Sequence, residues 1–151
     1  HNVALGNEEQ TIEMVLPESN GVMRTGLPHI IGDGEQIGNQ KTAHVSLKKG
    51  SELFKNLGRI DYIKCDIEGY EWIVFQEIKD LIIQHRPIVQ VEIAEDSIPL
   101  FVAYFTELNY LQYGIKDFKL VRENGKQEEI GDFLFLPLEQ QKDFESRFSI
   151  K

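Results

Sequence analysis

The chain has 151 residues, 41% hydrophobic and 27% charged, the composition of an ordinary soluble globular domain. Its 25 acidic and 16 basic residues leave a formal net charge of −9, which argues against a surface built for nucleic-acid backbones, and Lys48-Lys49 is too short a run to reverse that. The single Cys65 excludes an internal disulfide framework, and neither a membrane-length apolar run nor a signal peptide is present, so a cytoplasmic location is expected.

Val3-Ala4-Leu5 and Thr11-Ile12-Glu13-Met14-Val15-Leu16 read as extended runs on either side of the turn residues Gly6-Asn7-Glu8-Glu9. Residues 17–41 hold five glycines and two prolines, which predicts a long irregular segment with a short strand near Ile30-Ile31. Within it, Gly32-Asp33-Gly34-Glu35-Gln36-Ile37-Gly38 misses the dinucleotide-binding spacing by one residue and lacks a strand before it and a helix after it. Thr42 to Leu47 is expected to be extended, and Ser51 to open a short helix running to Leu57 and stopped by Gly58.

The stretch from Asp61 to Glu71 is the most informative. Ile63, Cys65 and Ile67 alternate onto one face of a strand, and Tyr62, Lys64 and Asp66 onto the other. Unpaired charge is costly in a core, so Lys64 and Asp66 mark a strand end with work to do or, more plainly, a solvated one leading into an acid-capped helix. Gly69 suits a sharp strand-to-helix turn, and Glu68 and Glu71 lie favourably beside the helix's positive end. A helix is predicted from about Tyr70 to Gln84, with Trp72, Phe75, Ile78 and Ile82 on its core stripe and Glu71, Glu77, Lys79 and Asp80 toward solvent. Pro87 ends it near His85-Arg86. The next strand, Ile88-Val89-Gln90-Val91-Glu92-Ile93, sets Val89, Val91 and Ile93 opposite Gln90 and Glu92. If the two strands are parallel neighbours, a right-handed crossover gathers Lys64, Asp66, Glu68 and Glu92 at one rim, the edge where open α/β sheets place their chemistry.

Farther on, the sequence predicts a helix from Ile98 to Leu108 with Pro99 in its first turn, strands from Leu111 to Ile115 and from Phe118 to Arg122, and a hairpin turn at Asn124-Gly125. A last strand, Asp132 to Pro137, and a helical tail from Leu138 to Phe148 complete the chain. The fold class is α/β, doubly wound and closed by an antiparallel strand pair. One domain is expected over residues 1–151, with 1–47 a β-extension and glycine-rich loop and 48–151 the α/β core. The four histidines are too dispersed for a zinc site.

The hub Ile60-Asp61-Tyr62-Ile63-Lys64-Cys65-Asp66-Ile67-Glu68-Gly69-Tyr70-Glu71, with Arg86-Pro87-Ile88-Val89-Gln90-Val91-Glu92-Ile93 downstream, resembles the FkbM family of methyltransferases. It matches that family's Lys-x-Asp-x-Glu-Gly-x-Glu signature in full. Asn2-Val3-Ala4-Leu5-Gly6, the glycine-rich segment and Asp132 to Pro137 match more loosely. The resemblance implies a class I enzyme that uses S-adenosyl-L-methionine to O-methylate sugars or secondary metabolites. Its sheet would be part of a Rossmann-like one, mostly parallel with an antiparallel last pair and helices on both faces. The family's first strand, its glycine-rich cofactor loop and its ribose-binding acid have no counterpart here, and the chain opens on His1. A fragment holding the carboxyl-terminal half of the sheet is therefore expected.

By this resemblance Ala4 and Leu5 flank the adenine, and Asp66, Lys64 and Glu68 form the catalytic group. Asp66 takes the acceptor hydroxyl's proton and Lys64 keeps it ionised. Glu92, Glu71 and His44 are the acceptor-binding candidates. No metal is assigned, the minor alternative being a divalent ion shared by Asp66, Glu68 and Glu92. The expected partner is a small-molecule or carbohydrate acceptor, with neither nucleic acid nor membrane, and a bare sheet edge would permit a homodimer. The rival reading is a noncatalytic ligand-binding or interaction module that keeps the half-sheet.

Overall fold

The computed structural model describes residues 1–19, 22–23, 28–31, 36–116, 119–122 and 132–148. Contacts divide the chain into two units, His1–Asn56 with Ile67–Asp80, and Leu57–Asp66 with Leu81–Lys151.

The first unit is built on β1 (Ala4–Leu5), β2 (Gln10–Leu16), the two-residue ribbon β3 (Glu18–Ser19) and β4 (Val22–Met23), β5 (His29–Ile30) and β6 (Lys41–Lys48). β6 lies between β1, which runs parallel to it, and β2, which pairs antiparallel from Gln10↔Leu47 to Leu16↔Lys41. β5 pairs with the far side of β2. Next come α1 (Gly50–Phe54), then β7 (Tyr62–Cys65), which belongs to the second unit, and α2 (Glu71–Glu77), which returns to the first. Gly50 is required by close approach, since a Cβ there would stand 2.7 Å from Ile78 Cγ2. The Glu77 carboxylate accepts Ser51 N–H at 3.1 Å and the Ser51 hydroxyl as well, satisfying donors at the start of α1 that no preceding turn can satisfy.

α3 (Lys79–His85) follows α2 after a break at Ile78, whose φ of −91° and ψ of 14° leave the helical range. The single helix expected from Tyr70 to Gln84 is thus two. With no glycine or proline between 71 and 85, the sequence carries no signal for the break. Glu71 also corrects its expectation: it is buried, not solvent-facing.

The rest of the second unit is β8 (Ile88–Glu92), α4 (Ile98–Glu107) after one 3-10 turn, β9 (Tyr110–Lys116), β10 (Lys119–Arg122), β11 (Asp132–Pro137) and α5 (Gln141–Phe148). The predicted turn at Asn124-Gly125 lies outside the described residues. The five-stranded sheet has the order β10-β9-β11-β8-β7. Only β7 and β8 pair parallel; β11 pairs antiparallel with both β8 and β9, and β10 with β9. The class is α/β as expected, but both larger sheets are mixed and neither is mostly parallel. Phe133-Leu134-Phe135-Leu136 is buried on both faces, and such a run specifies a central strand without specifying its direction.

Alternation along β11 splits the core. Phe135 stacks on Phe105 of α4 with ring centroids 4.0 Å apart. On the opposite face Leu134, Leu136 and Tyr113 pack with Ile88, Leu111, Ile115 and Phe144 of α5, and the Tyr113 hydroxyl donates to Glu145 Oε1 at 2.8 Å. Helices therefore cover both faces of this sheet.

Candidate active site

The parallel register Tyr62↔Ile88, Lys64↔Gln90 and Cys65↔Val91 carries Asp66 and Glu92 to neighbouring positions at the carboxyl ends of β7 and β8. Of the four residues expected at one rim, Lys64, Asp66 and Glu92 come together within the second unit, whereas Glu68 belongs to the first, and Glu92 lies within hydrogen-bonding reach of Asp66. Lys64 Nζ sits 2.6 Å from Asp66 Oδ2. That bond is the main reason the Asp66 carboxyl is held below its usual range; burial opposes it, and Glu92 adds a smaller push downward. Lys64 is pushed up in turn, chiefly by Asp66, with lesser contributions from Asp132 and Glu92. Mutual stabilisation of two opposite charges is the physical content of both shifts.

Asp132 is the residue that sequence reasoning missed. Because β11 runs antiparallel beside β8, Asp132 falls directly across from Glu92, so three adjacent strands each bring a carboxylate to the rim. A row of side chains runs behind it on the same face. The Tyr62 hydroxyl donates to Gln90 Oε1, and Gln90 Nε2 stands 3.5 Å from Asp132 Oδ1. Burial raises the Tyr62 phenol above its ordinary value, Lys64 draws it down and Asp132 raises it further. Period-2 alternation already grouped Tyr62 with Lys64, and Gln90 with Glu92. No local pattern announces that β11 inserts next to β8.

The turn after Asp66 belongs to the first unit. Glu68 and Gly69 both take left-handed conformations, with φ of 57° and 96°. No atom lies within 4 Å of where a Gly69 Cβ would be, so the backbone angle and not space demands glycine. Glu68 adopts its angle without that freedom, a strained state of the sort that clusters at functional turns. Glu71, 8% exposed, holds the turn. Its Oε1 accepts Ile67 N–H at 2.9 Å and Gly69 N–H at 3.2 Å, and its Oε2 accepts Gly69 N–H at 3.0 Å. Glu68 is exposed, His44 is exposed on β6 in register with Glu13, and Ala4 and Leu5 are half-buried in β1. The second unit thus brings together Lys64, Asp66 and Glu92 and adds Asp132, while Glu68, Glu71, His44, Ala4 and Leu5 lie in the first. Among the described residues no group of three or more His, Cys, Asp and Glu is arranged to hold a metal ion.

An ionised carboxylate at the carboxyl end of a parallel strand pair in an α/β sheet is equipped to accept a proton from an incoming nucleophile, the setting of a group-transfer enzyme. The model of the methyltransferase FkbM domain matches residues 1–123, and the chain belongs to that family. The matched region includes Lys64, Asp66, Glu68, Glu71 and Glu92 and stops before Asp132. No curated protein and no solved structure matches the chain. No helix among the described residues is long and apolar enough to cross a membrane.

Proposed function

We propose that these residues belong to an S-adenosyl-L-methionine-dependent O-methyltransferase acting on a hydroxyl, and that the hydroxyl is carried by a carbohydrate or a related secondary metabolite. Family membership supports the methyl-transfer class, and the observation that carries the rest is the Lys64–Asp66 pair at 2.6 Å. S-adenosyl-L-methionine supplies an electrophilic methyl group on a positively charged sulfur, and ionised carboxylates fit such a charge. Ala4 and Leu5, an apolar half-buried pair, are offered to its adenine ring.

Asp66 accepts the hydroxyl proton as the oxygen attacks. Lys64 keeps Asp66 deprotonated and turned to a fixed direction. Glu92, beside Asp66 in the second unit, binds a neighbouring hydroxyl of the acceptor, Glu68 is a further hydroxyl-binding candidate, and Glu71 holds the turn that follows Asp66. Positioning of the acceptor hydroxyl by these residues would supply much of the acceleration. Three strands that share a direction (β7, β8 and β9), with β11 reversed between the last two, support reading the second unit as the carboxyl-terminal half of a class I sheet. A cytoplasmic setting, with Cys65 buried and in no disulfide, accompanies this reading.

Methyl transfer from S-adenosyl-L-methionine to a panel of sugars tests it. Asp66→Asn keeps the shape and removes the base, so kcat is expected to fall by about 10²–10⁴-fold. In the unaltered protein the acid limb of kcat/KM lies below the ordinary aspartate range, because Lys64 lowers Asp66. Undiminished transfer by Asp66→Asn would remove the base assignment.

A further inference from the structure

We infer that Tyr62, Gln90 and Asp132 form an acceptor subsite beside the Lys64–Asp66 pair, and that it takes an uncharged, hydroxyl-rich ring. The inference rests on the hydroxyl-methylating reading and names the substrate class and the residues that would select it. Tyr62 is 49% exposed although its hydroxyl is engaged with Gln90, so its ring surface is open while its tip is fixed. With Gln90 Oε1 committed to Tyr62, the amide's N–H side faces Asp132. A carboxylate has about four acceptor positions and a primary amide two N–H donors, so both groups retain capacity for a ligand. The row crosses three adjacent strands, about 10 Å from end to end at the usual strand spacing, the length of one or two sugar rings.

An open aromatic face beside a planar amide and a planar carboxylate is what a sugar requires. Its C–H face lies on the ring, and neighbouring hydroxyls donate to the carboxylate and accept from the amide. Charge narrows the class. Asp66, Glu92 and Asp132 surround one ammonium, that of Lys64, which Asp66 already engages, so an anionic ring meets net negative potential. Asp132 lies beyond the matched family region, and the base chemistry leaves Tyr62, Gln90 and Asp132 unused.

Calorimetric titration with maltose and with glucuronate tests the subsite without relying on catalysis. Maltose is expected to bind saturably and glucuronate not to bind. Tyr62→Ala and Asp132→Asn should each weaken maltose binding by about tenfold, the loss of one good contact. Tyr62→Phe, which keeps the ring and frees Gln90, should lose less than Tyr62→Ala and covers the case in which the alanine variant fails to fold. In methyl transfer the same variants should raise KM for a neutral sugar more than they lower kcat, the reverse of Asp66→Asn. Absent maltose binding, equal binding of glucuronate, or variants that leave both affinity and KM unchanged would overturn the subsite. Maltose binding that depends on Tyr62 and Asp132, without any methyl transfer, would leave the subsite standing and remove the methyltransferase reading. Transfer that depends on Asp66 but ignores Tyr62 and Asp132 would do the opposite.

Discussion

Glu71 shows how much one side chain can decide. A glutamate in the first turn of a helix usually gains a modest dipole interaction and stays wet. Here it turns back into the protein and accepts from Ile67 N–H and Gly69 N–H, two amides of a left-handed turn that no helix or strand could satisfy. Its position three residues after Glu68 in the Lys-x-Asp-x-Glu-Gly-x-Glu signature therefore has a physical reason: the second glutamate fixes the turn that follows Asp66. Glu71→Gln tests this, because an amide nitrogen would face an N–H where only acceptors fit. The substitution should cost about 0.5–1.5 kcal/mol in denaturant unfolding, the net worth of the one hydrogen bond that Oε2 makes. A loss below about 0.5 kcal/mol, the level of ordinary surface substitutions, would mean that the amides find other acceptors. Sequence alone could not show this. Alternation assigns faces within a strand, which is why Lys64, Asp66 and Glu92 were legible as one rim, but it cannot tell whether a helical glutamate turns outward or back. Asp132 escaped for a related reason, since its place depends on which strand β11 joins.

The ends of elements are held by a residue far less conspicuous in the sequence. Arg86 follows α3 with a φ of 51°, and its N–H donates to Ile82 O at 3.0 Å, so it closes the helix in the way glycine usually does. From there its guanidinium donates to Leu108 O at 2.6 Å and Asn109 O at 3.1 Å, carbonyls at the end of α4. It also pairs in fork geometry with Glu139, at 2.8 Å through both Nε and Nη2, and lies 4.5 Å from the centre of the Tyr110 ring. One cation thus ties the end of α3 to the end of α4 and the start of the tail. Pro87 made the helix end predictable, but nothing local revealed that the preceding arginine reaches three other segments. Arg86→Ala should destabilise the protein by about 2–3 kcal/mol, since charge-assisted bonds to partly buried carbonyls are lost. Glu139→Gln should cost less than about 1 kcal/mol, because Glu139 is 53% exposed and water screens the pair. Equal costs in parallel urea melts would show that the ion pair and not the carbonyl bonds does the holding.

For the chain as a whole, the hub is where two units exchange the backbone. The second unit's first segment ends at Asp66 and the first unit resumes at Ile67, so the Lys-x-Asp-x-Glu-Gly-x-Glu stretch contributes to both. No single cut separates them. Residues 1–56 alone would keep β6 and α1 but lose Glu77, which satisfies the start of α1, and Ile78, which packs on Gly50. Residues 57–151 alone would keep β7 to β11 but carry Ile78, 5% exposed in the intact chain, without the Gly50 it packs on. Uncovering such a side chain forfeits up to about 1.5–3 kcal/mol, against a usual net stability of about 5–15 kcal/mol. Expressed separately, 1–56 should show no cooperative thermal transition by circular dichroism. The 57–151 piece should retain strand signal but bind a hydrophobic dye that the intact chain does not. A cooperative melt of 1–56 by itself would mean that the β-sheet of the first unit needs nothing from beyond the hub, and the interleaving would then be a matter of contact and not of stability.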